Sequence, residues 1–455
     1  MIGIIKSLNR VVWGVPALVM ILGVGLYLSV QTNFAQIRMF PKAVRCFVRR
    51  FRKRDDTDGV SPYQALCTAL AATVGTGNIV GVAGAIAIGG PGSIFWMWIC
   101  ALLGMITKFA EATLAVRYRV TSRSGEFIGG TMYMIKRSMP GFSWMASVYC
   151  FFGVVAAFGV GNATQINAVI GGINSVISFL GGRQSIVIDL LLGLILAILI
   201  LIMLLGGAKR IGQIAEQLVP YAAAGYLLLC MIVLIARYQE IPRALSLILA
   251  GALTPKAVTG GLIGSAFTAL RVGASRGVFT NEAGMGTASI AHASANVKHP
   301  VEQGLMGLME VFLDTIVICT MTALVILCSG VPIVYGYDTG ALLTTDAFSD
   351  VLGQWVCIPI SAFLCCFAIA TVLGWGLYGI RCAQFLFGER SWKGFVYLQA
   401  TIVIISAVLG TGTIWMLAET VNGLMAIPNL VVLAYLEPEL KRLIAEYRFR
   451  LRSFE

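Results

Sequence analysis

The sequence predicts an all-α membrane protein with many transmembrane helices, and three observations lead to that class. Of its 455 residues, 58% are hydrophobic and 12% are charged, roughly half the charged share of a soluble domain. Apolar runs of about 20 residues, enough to cross a bilayer as a helix, recur along the chain. Cations are distributed unevenly among the segments that connect these runs. The net charge of +12 is therefore interpreted as membrane topology rather than as a nucleic-acid surface.

Eleven spans are predicted in chain order. The first, 11–30, is too long for the apolar region of a signal peptide and is expected to be retained. The others are predicted at 62–88, 93–116, 144–180, 185–205, 211–236, 258–292, 303–328, 351–386, 394–409 and 413–436.

The cations orient these spans. The segment after the first span carries Arg38, Lys42, Arg45, Arg49, Arg50, Arg52, Lys53 and Arg54. Because positive loops stay in the cytoplasm, the protein is expected in the cell (inner) membrane with its N-terminus outside and its C-terminus in the cytoplasm. We divide the chain into a first helix with its basic loop (1–60), two five-helix sets (61–236 and 237–436) and a basic cytoplasmic tail (437–455).

The second span is disturbed in its middle. Between Thr73 and Asn78 it reads TVGTGN, where glycines weaken a helix and polar side chains offer oxygens at one depth. Non-helical backbone persists inside a membrane only where a ligand, water or protein replaces the lost hydrogen bonds. This stretch is a candidate binding site. Tight helix packing is the alternative, because Gly77 and Gly81 have the GxxxG spacing.

The span 258–292 is disturbed as well, with four glycines and the ionisable residues Arg271, Arg276 and Glu282 at or near membrane depth. A helix followed by a solvated loop is the alternative here. If the first span is set aside, the two broken spans each open a set of five. An odd number of crossings inverts the second set relative to the first, which is typical of an inverted-repeat transporter.

Four blocks in the same order resemble the alanine or glycine:cation symporters. They are ALAATVGTGNIVGVAGAIAIGGPGSIFWMW with LLGMITKFAEATLAVRYR, then RGVFTNEAGMGTASIAHA with HPVEQG, then FLDTIVICT, and finally ATVLGWGLYG. The resemblance spans residues 60–436. It implies a LeuT-type five-plus-five core behind one extra helix, and sodium-coupled uptake of small neutral amino acids such as alanine and glycine.

An amino-acid zwitterion needs donors for its carboxylate and acceptors for its ammonium. The amides of Thr76 and Gly77 can take the carboxylate, and carbonyls around Thr73 and Phe267 can take the ammonium. Gln165 resembles a substrate contact of the family, with interhelical hydrogen bonding as an equal alternative, and Trp375 could wall the pocket or merely pack. The substrate-binding candidates are Thr73, Thr76, Gly77, Asn78, Gln165, Phe267 and Trp375.

Sodium prefers hard oxygen ligands. The resemblance to the LeuT-type core implies sodium ligands from the carbonyls of Ala71, Thr73 and Val74 and from the Asn78 side chain. Thr268 and Thr371 would complete the sites. No other metal is implied.

Proton coupling is the alternative within the transporter class, with Asp314, Glu282 or Glu310 as the titrating acid. A structural, hydrogen-bonded role is favoured for Asp314, and no role is assigned to His292 or His299. A channel or a transporter-like sensor is a weaker alternative, because a sensor is expected to append a signalling domain. An enzyme is not expected, since no nucleophile with its base, metal-spaced cluster or phosphate loop is present.

Overall fold

The computed structural model describes residues 12, 14–52, 59–123, 125–253, 266–336, 340–409 and 412–452. Up to residue 236 the helices are α1 (Val15–Gln31), α2 (Phe40–Arg52), α3 (Pro62–Thr73), α4 (Gly77–Gly89), α5 (Gly92–Tyr118), α6 (Thr131–Ser138), α7 (Trp144–Phe179), α8 (Ile186–Leu204) and α9 (Gly207–Ala236). A two-stranded antiparallel hairpin, β1 (Val120–Thr121) and β2 (Phe127–Ile128), follows α5.

The remaining helices are α10 (Ile241–Leu253), α11 (Ala266–Asn281), α12 (Thr287–Ala293), α13 (Pro300–Ser329), α14 (Ala341–Leu352), α15 (Gln354–Phe387), α16 (Ser391–Val408), α17 (Gly412–Tyr435) and α18 (Glu437–Arg452). The described residues include three π-helical segments, where the chain is locally wound more widely, at Gly77–Gly81, Gly159–Ala163 and Phe312–Cys319. Such segments occur frequently at functional sites.

Length and composition support the membrane prediction. Within the described parts of the chain, seven helices are long and apolar enough to cross a membrane. Two further pairs of helices, each bent at a short break, meet the same criterion when each pair is counted as one span. The count of eleven spans stays a prediction. Helix α5 is central, with 83% of its most apolar stretch buried, whereas only 22% of that of α8 is buried. An apolar helix that is so little covered by protein is expected to face lipid.

The break predicted between Thr73 and Asn78 is present. Helix α3 begins with a capping box between Ser61 and Gln64 and ends at Thr73, and it meets α4 at an angle of 51°. Val74 is extended, and the Gly75 amide donates to Asn78 Oδ1 at 2.9 Å. In an unbroken helix that amide would donate to the carbonyl of Ala71. A side chain thus replaces the helical partner, and the Ala71 carbonyl is released.

The second break lies within the predicted span 258–292, at the last two of its four glycines, Gly284 and Gly286. Helix α11 runs without interruption through Gly273 and Gly277, which pack closely on Ser93 and Cys100 of α5. The chain turns between Asn281 and Thr287 instead. Because the early glycines serve helix packing, they do not interrupt α11.

Glycine is required within this turn. Gly284 and Gly286 have φ of +93° and +78°, and Glu282 adopts the same left-handed region at +53°. A Cβ on Gly286 would lie 2.2 Å from Thr131 Oγ1. Non-glycine residues rarely adopt such a conformation, so the φ of Glu282 marks a strained position.

Candidate functional site

Three helices converge on the first break. A Cβ placed on Gly75 would lie 2.6 Å from Thr371 Oγ1 of α15 and 3.7 Å from Gln165 Oε1 of α7. Thr371 donates its hydroxyl hydrogen to the Phe367 carbonyl at 2.9 Å, which leaves its oxygen lone pairs turned to the break. Sequence reasoning had named both side chains, and the fold brings them together at the break.

Gln165 presents an acceptor without a partner. Its Nε2 donates to the Val160 carbonyl at 3.2 Å, within the π-helical segment of α7, and its buried Oε1 has no hydrogen-bond partner among the described residues. A buried polar atom left unpaired costs about 1–3 kcal/mol, so it is usually matched by a ligand or water. The break therefore offers a free buried acceptor to a ligand.

Asn78 holds the break together. Its Nδ2 donates to Asp314 Oδ1 at 2.7 Å and to the Asp314 carbonyl at 3.2 Å, while its Oδ1 accepts from Gly75. Asp314 also accepts from the Thr315 hydroxyl at 2.8 Å. The predicted structural, hydrogen-bonded role of Asp314 is what these contacts describe.

Thr73 and Thr76 are buried on either side of the break. Thr73 Oγ1 is 3.3 Å from the Ala69 carbonyl, and Thr76 makes no side-chain cap to the helix that follows. Gly77 lies against Thr280 near the end of α11, with 3.4 Å between its built Cβ and Thr280 Oγ1. The two broken elements thus adjoin.

The second break is held by polar groups from α5 and α17. Glu111 Oε1 accepts from the amides of Gly284 at 2.9 Å and Gly286 at 3.2 Å. The Asn429 amide donates to Glu111 Oε1 at 2.7 Å and to the Gly284 carbonyl at 2.9 Å. These contacts satisfy backbone groups that an uninterrupted helix would have paired internally.

Trp375 joins the second break to α7. Its indole N–H donates to Glu282 Oε1 at 2.9 Å, and Glu282 Oε2 accepts from Thr287 Oγ1 at 2.6 Å. The indole lies directly over Gly161, where a Cβ would come within 2.2 Å of Trp375 Cβ. The ring is completely buried.

A cavity of about 620 Å³ opens half a helical turn beyond Trp375, lined on α15 by Leu377, Ile380, Arg381 and Gln384. Arg381 pairs with Glu126 near β2 at 2.8 Å in its wall. Along α15, Trp375 therefore lies between Thr371, which is at the first break, and the residues that line this cavity, which we call the vestibule.

Phe267 and Thr268 are not brought to the site. Both lie in the first turn of α11, and the Phe267 side chain is 58% exposed. Fourteen residues separate Phe267 from Asn281, which corresponds to about 20 Å along a helix. Their prediction as site residues is wrong in geometry, because the break lies at the opposite end of α11.

A buried ionic cluster connects α5, α12 and α13. Lys108 Nζ lies 3.1 Å from Glu310 Oε1, and His292 Nε2 lies 2.8 Å from Glu310 Oε2. Gln303 Nε2 lies 2.7 Å from His292 Nδ1. His292, to which no catalytic or metal role was assigned from the sequence, is fully buried and bonded on both ring nitrogens.

The sequence analysis did not predict that Lys108, Glu111 and Asn429 take part in the buried polar contacts at the second break and in the ionic cluster. Lys108 and Glu111 lie three residues apart in an otherwise apolar span, a costly arrangement that indicates a buried polar network. No comparable signal marks Asn429. Its partners are distant in sequence and only the fold brings them near.

Comparisons with known proteins agree with this geometry. The model of the sodium:alanine symporter family matches residues 1–454. The sodium/alanine symporter AgcS of Methanococcus maripaludis is 40% identical over 440 residues, covering 96% of this chain and 94% of that protein.

Two solved structures share the fold at low sequence identity. MhsT in complex with L-phenylalanine has a TM-score of 0.57 at 15% identity, covering 81% of this chain and 89% of its own. Mhp1, a nucleobase-cation-symport-1 family transporter, has a TM-score of 0.52 at 12% identity, covering 76% and 71%. The predicted fold, an all-α membrane protein of the LeuT type, is confirmed, and the protein is a transporter rather than an enzyme. The whole-chain match shows that the chain belongs to the sodium:alanine symporter family.

Proposed function

We propose that this protein carries a small neutral amino acid, alanine or glycine, into the cell together with sodium by alternating access. The observation that carries the proposal is the first break. There the Gly75 amide has left the helical bonding pattern, and the Thr371 hydroxyl and the buried Gln165 Oε1, which has no hydrogen-bond partner among the described residues, lie beside Gly75. Family membership and the name of the relative AgcS agree with sodium and alanine.

The substrate is proposed to bind with its carboxylate at the amides of Thr76 and Gly77, beside the start of α4. Its ammonium would meet carbonyls near Thr73 and the Gln165 oxygen. The TVGTGN segment itself contains no acidic residue, and the nearby Asp314 carboxyl already accepts hydrogen bonds from Asn78 and Thr315, which fits a neutral amino acid better than a cationic one. Trp375 limits the size of the pocket toward the vestibule.

Sodium is proposed to bind to neutral oxygens of the same break. The candidates are the carbonyls of Ala71, Thr73 and Val74, the Asn78 side chain and Thr371. Among the described residues, no group of three His, Cys, Asp or Glu side chains has a geometry that could hold a metal ion. A site built from carbonyls and hydroxyls is the alternative that suits sodium.

The topology is proposed from the loop charges, with the N-terminus outside and the C-terminus in the cytoplasm of the inner membrane. We propose that 61–236 and 237–436 form the two inverted halves. In support, each begins with or contains a broken element, α3 with α4 and α11 with α12.

The test is uptake of labelled alanine into proteoliposomes under an inward sodium gradient, compared with a potassium gradient and with a proton gradient alone. We expect accumulation above equilibrium only with sodium. Equal accumulation without sodium would contradict the sodium assignment. Absence of uptake with alanine and glycine in every gradient would contradict the substrate class.

Proton coupling remains the second candidate, because Glu282, Glu310 and Asp314 are carboxyl groups with at most 2% exposure. Of the three, Glu310 is paired with Lys108 and is bonded by His292 as well. Accumulation driven by the proton gradient alone would favour it, and Asp314→Asn and Glu282→Gln would then be the next variants.

Trp375→Phe is expected to raise the KM for alanine about tenfold and to increase the relative uptake of larger neutral amino acids. The phenyl ring is smaller, and the buried Glu282 Oε1 loses its indole hydrogen-bond donor, which costs about 1–3 kcal/mol. Competition of unlabelled amino acids against labelled alanine measures both effects. Trp355→Phe is the matched control, because that indole is 55% exposed. An unchanged KM and selectivity in Trp375→Phe would contradict its role as a pocket wall.

A further inference from the structure

Helix α2 has three distinct faces. Ala43, Cys46 and Arg50 are buried against the protein. A second, exposed face is formed by four cations that recur at spacings of three and four residues, Lys42, Arg45, Arg49 and Arg52. Residues at such spacings share one side of a helix.

The four exposed cations have no acidic partner within the part of the chain that the structure describes. Among the described residues, none of them forms an ion pair, whereas the buried Arg50 of the same helix lies 2.6 Å from Glu302. Four like charges on one face repel each other unless an anion lies opposite them. The cationic face is therefore available to an anion.

The third face is apolar and exposed. Val48 is 39% exposed and Phe51 is 58% exposed, and Ile37, in the one-turn helix Ala35–Arg38 that precedes α2, is 62% exposed. This apolar face lies about 100° around the helix from the cationic face. A cationic face beside an apolar face is the arrangement of a helix that lies in the headgroup region of a bilayer.

Helix α2 is also firmly docked on the transport core. Besides the Arg50–Glu302 pair, Phe40 contacts Phe312 of α13 with ring centres 4.8 Å apart. The Phe51 and Tyr63 rings are 5.8 Å apart, which connects α2 to the first turn of α3. The helix thus joins the membrane surface to the two elements that carry Asp314 and the first break.

We propose that α2 is a receptor for anionic phospholipids, whose phosphates bind the face formed by Lys42, Arg45, Arg49 and Arg52 while Val48 and Phe51 enter the acyl boundary. Attraction of about 1 kcal/mol for each cation is usual at an anionic membrane surface. Charge complementarity and the adjacent apolar face favour a lipid over an acidic protein, because a headgroup surface supplies both chemistries at once.

The test uses the full-length protein in a nonionic detergent, titrated with phosphatidylglycerol, with phosphatidylcholine or with inorganic phosphate. Lipid binding and the thermal unfolding midpoint are measured. We expect phosphatidylglycerol to bind and stabilise the protein, with weaker binding at high salt. Replacing Lys42, Arg45, Arg49 and Arg52 by Gln is expected to weaken binding about tenfold or more.

The matched control replaces four exposed cations elsewhere, Lys209, Arg210, Arg390 and Lys393, by Gln and should bind like the unmodified protein. A smaller variant, Lys42→Glu with Arg49→Glu, guards against a folding defect and should also lose binding. Equal binding by all variants would overturn the proposal, as would equal stabilisation by phosphatidylcholine or by inorganic phosphate alone. If an acidic polyglutamate peptide bound as tightly as phosphatidylglycerol, the face would recognise acidic protein and the proposal would fail.

Discussion

Gly75→Ala is expected to reduce alanine uptake by roughly tenfold to a hundredfold while the protein stays folded. The new methyl group would lie 2.6 Å from Thr371 Oγ1, so either the threonine or the break must shift. Overpacking of this kind costs about 1–3 kcal/mol, which corresponds to that range in affinity. Initial uptake rates in proteoliposomes, with thermal unfolding as the folding check, measure the effect.

Gly81→Ala is the matched control, because it lies in the same π-helical segment and the nearest atom to its built Cβ is 4.0 Å away. The double variant Gly75→Ala with Thr371→Ala separates two explanations. If only the steric clash matters, removal of the Thr371 hydroxyl should restore uptake. If Thr371 is an ion ligand, uptake should stay low and its sodium dependence should weaken. Full activity of Gly75→Ala would contradict a ligand site at the first break.

Lys108→Met is expected to destabilise the folded protein by about 3–5 kcal/mol, because it leaves Glu310 buried without its ammonium partner. Both side chains have no exposed surface. His292 would remain as the partner of Glu310 and can offset part of the loss. The thermal unfolding midpoint and the yield of monodisperse protein in detergent report the change.

The double variant Lys108→Met with Glu310→Gln is expected to recover part of this stability, since it removes both charges from the interior. Lys209→Met, at an exposed position of α9, serves as the control and should change little. A Lys108→Met protein as stable as the control would show that the pair contributes nothing. A double variant less stable than Lys108→Met would show that Glu310 is needed for its bond with His292.

Local composition was sufficient for the first break. The TVGTGN run places two helix-weakening glycines within an apolar span, and the prediction depends only on residues close in sequence. In the second span the glycines were less informative, because Gly284 and Gly286 lie in the break whereas Gly273 and Gly277 serve close packing on α5. A glycine in a transmembrane span can either interrupt the helix or let a neighbouring helix pack closely, and the sequence of the span does not distinguish these two roles.

By itself the sequence determined the membrane class, the first break and the family blocks that surround it, since hydrophobicity and short motifs are properties of contiguous residues. Tertiary structure alone decided which polar groups complete the breaks. Asp314 lies 236 residues from Asn78, and Asn429 lies 318 residues from Glu111. Buried polar groups in a membrane interior must find partners wherever the fold brings them, because no water is there to replace them.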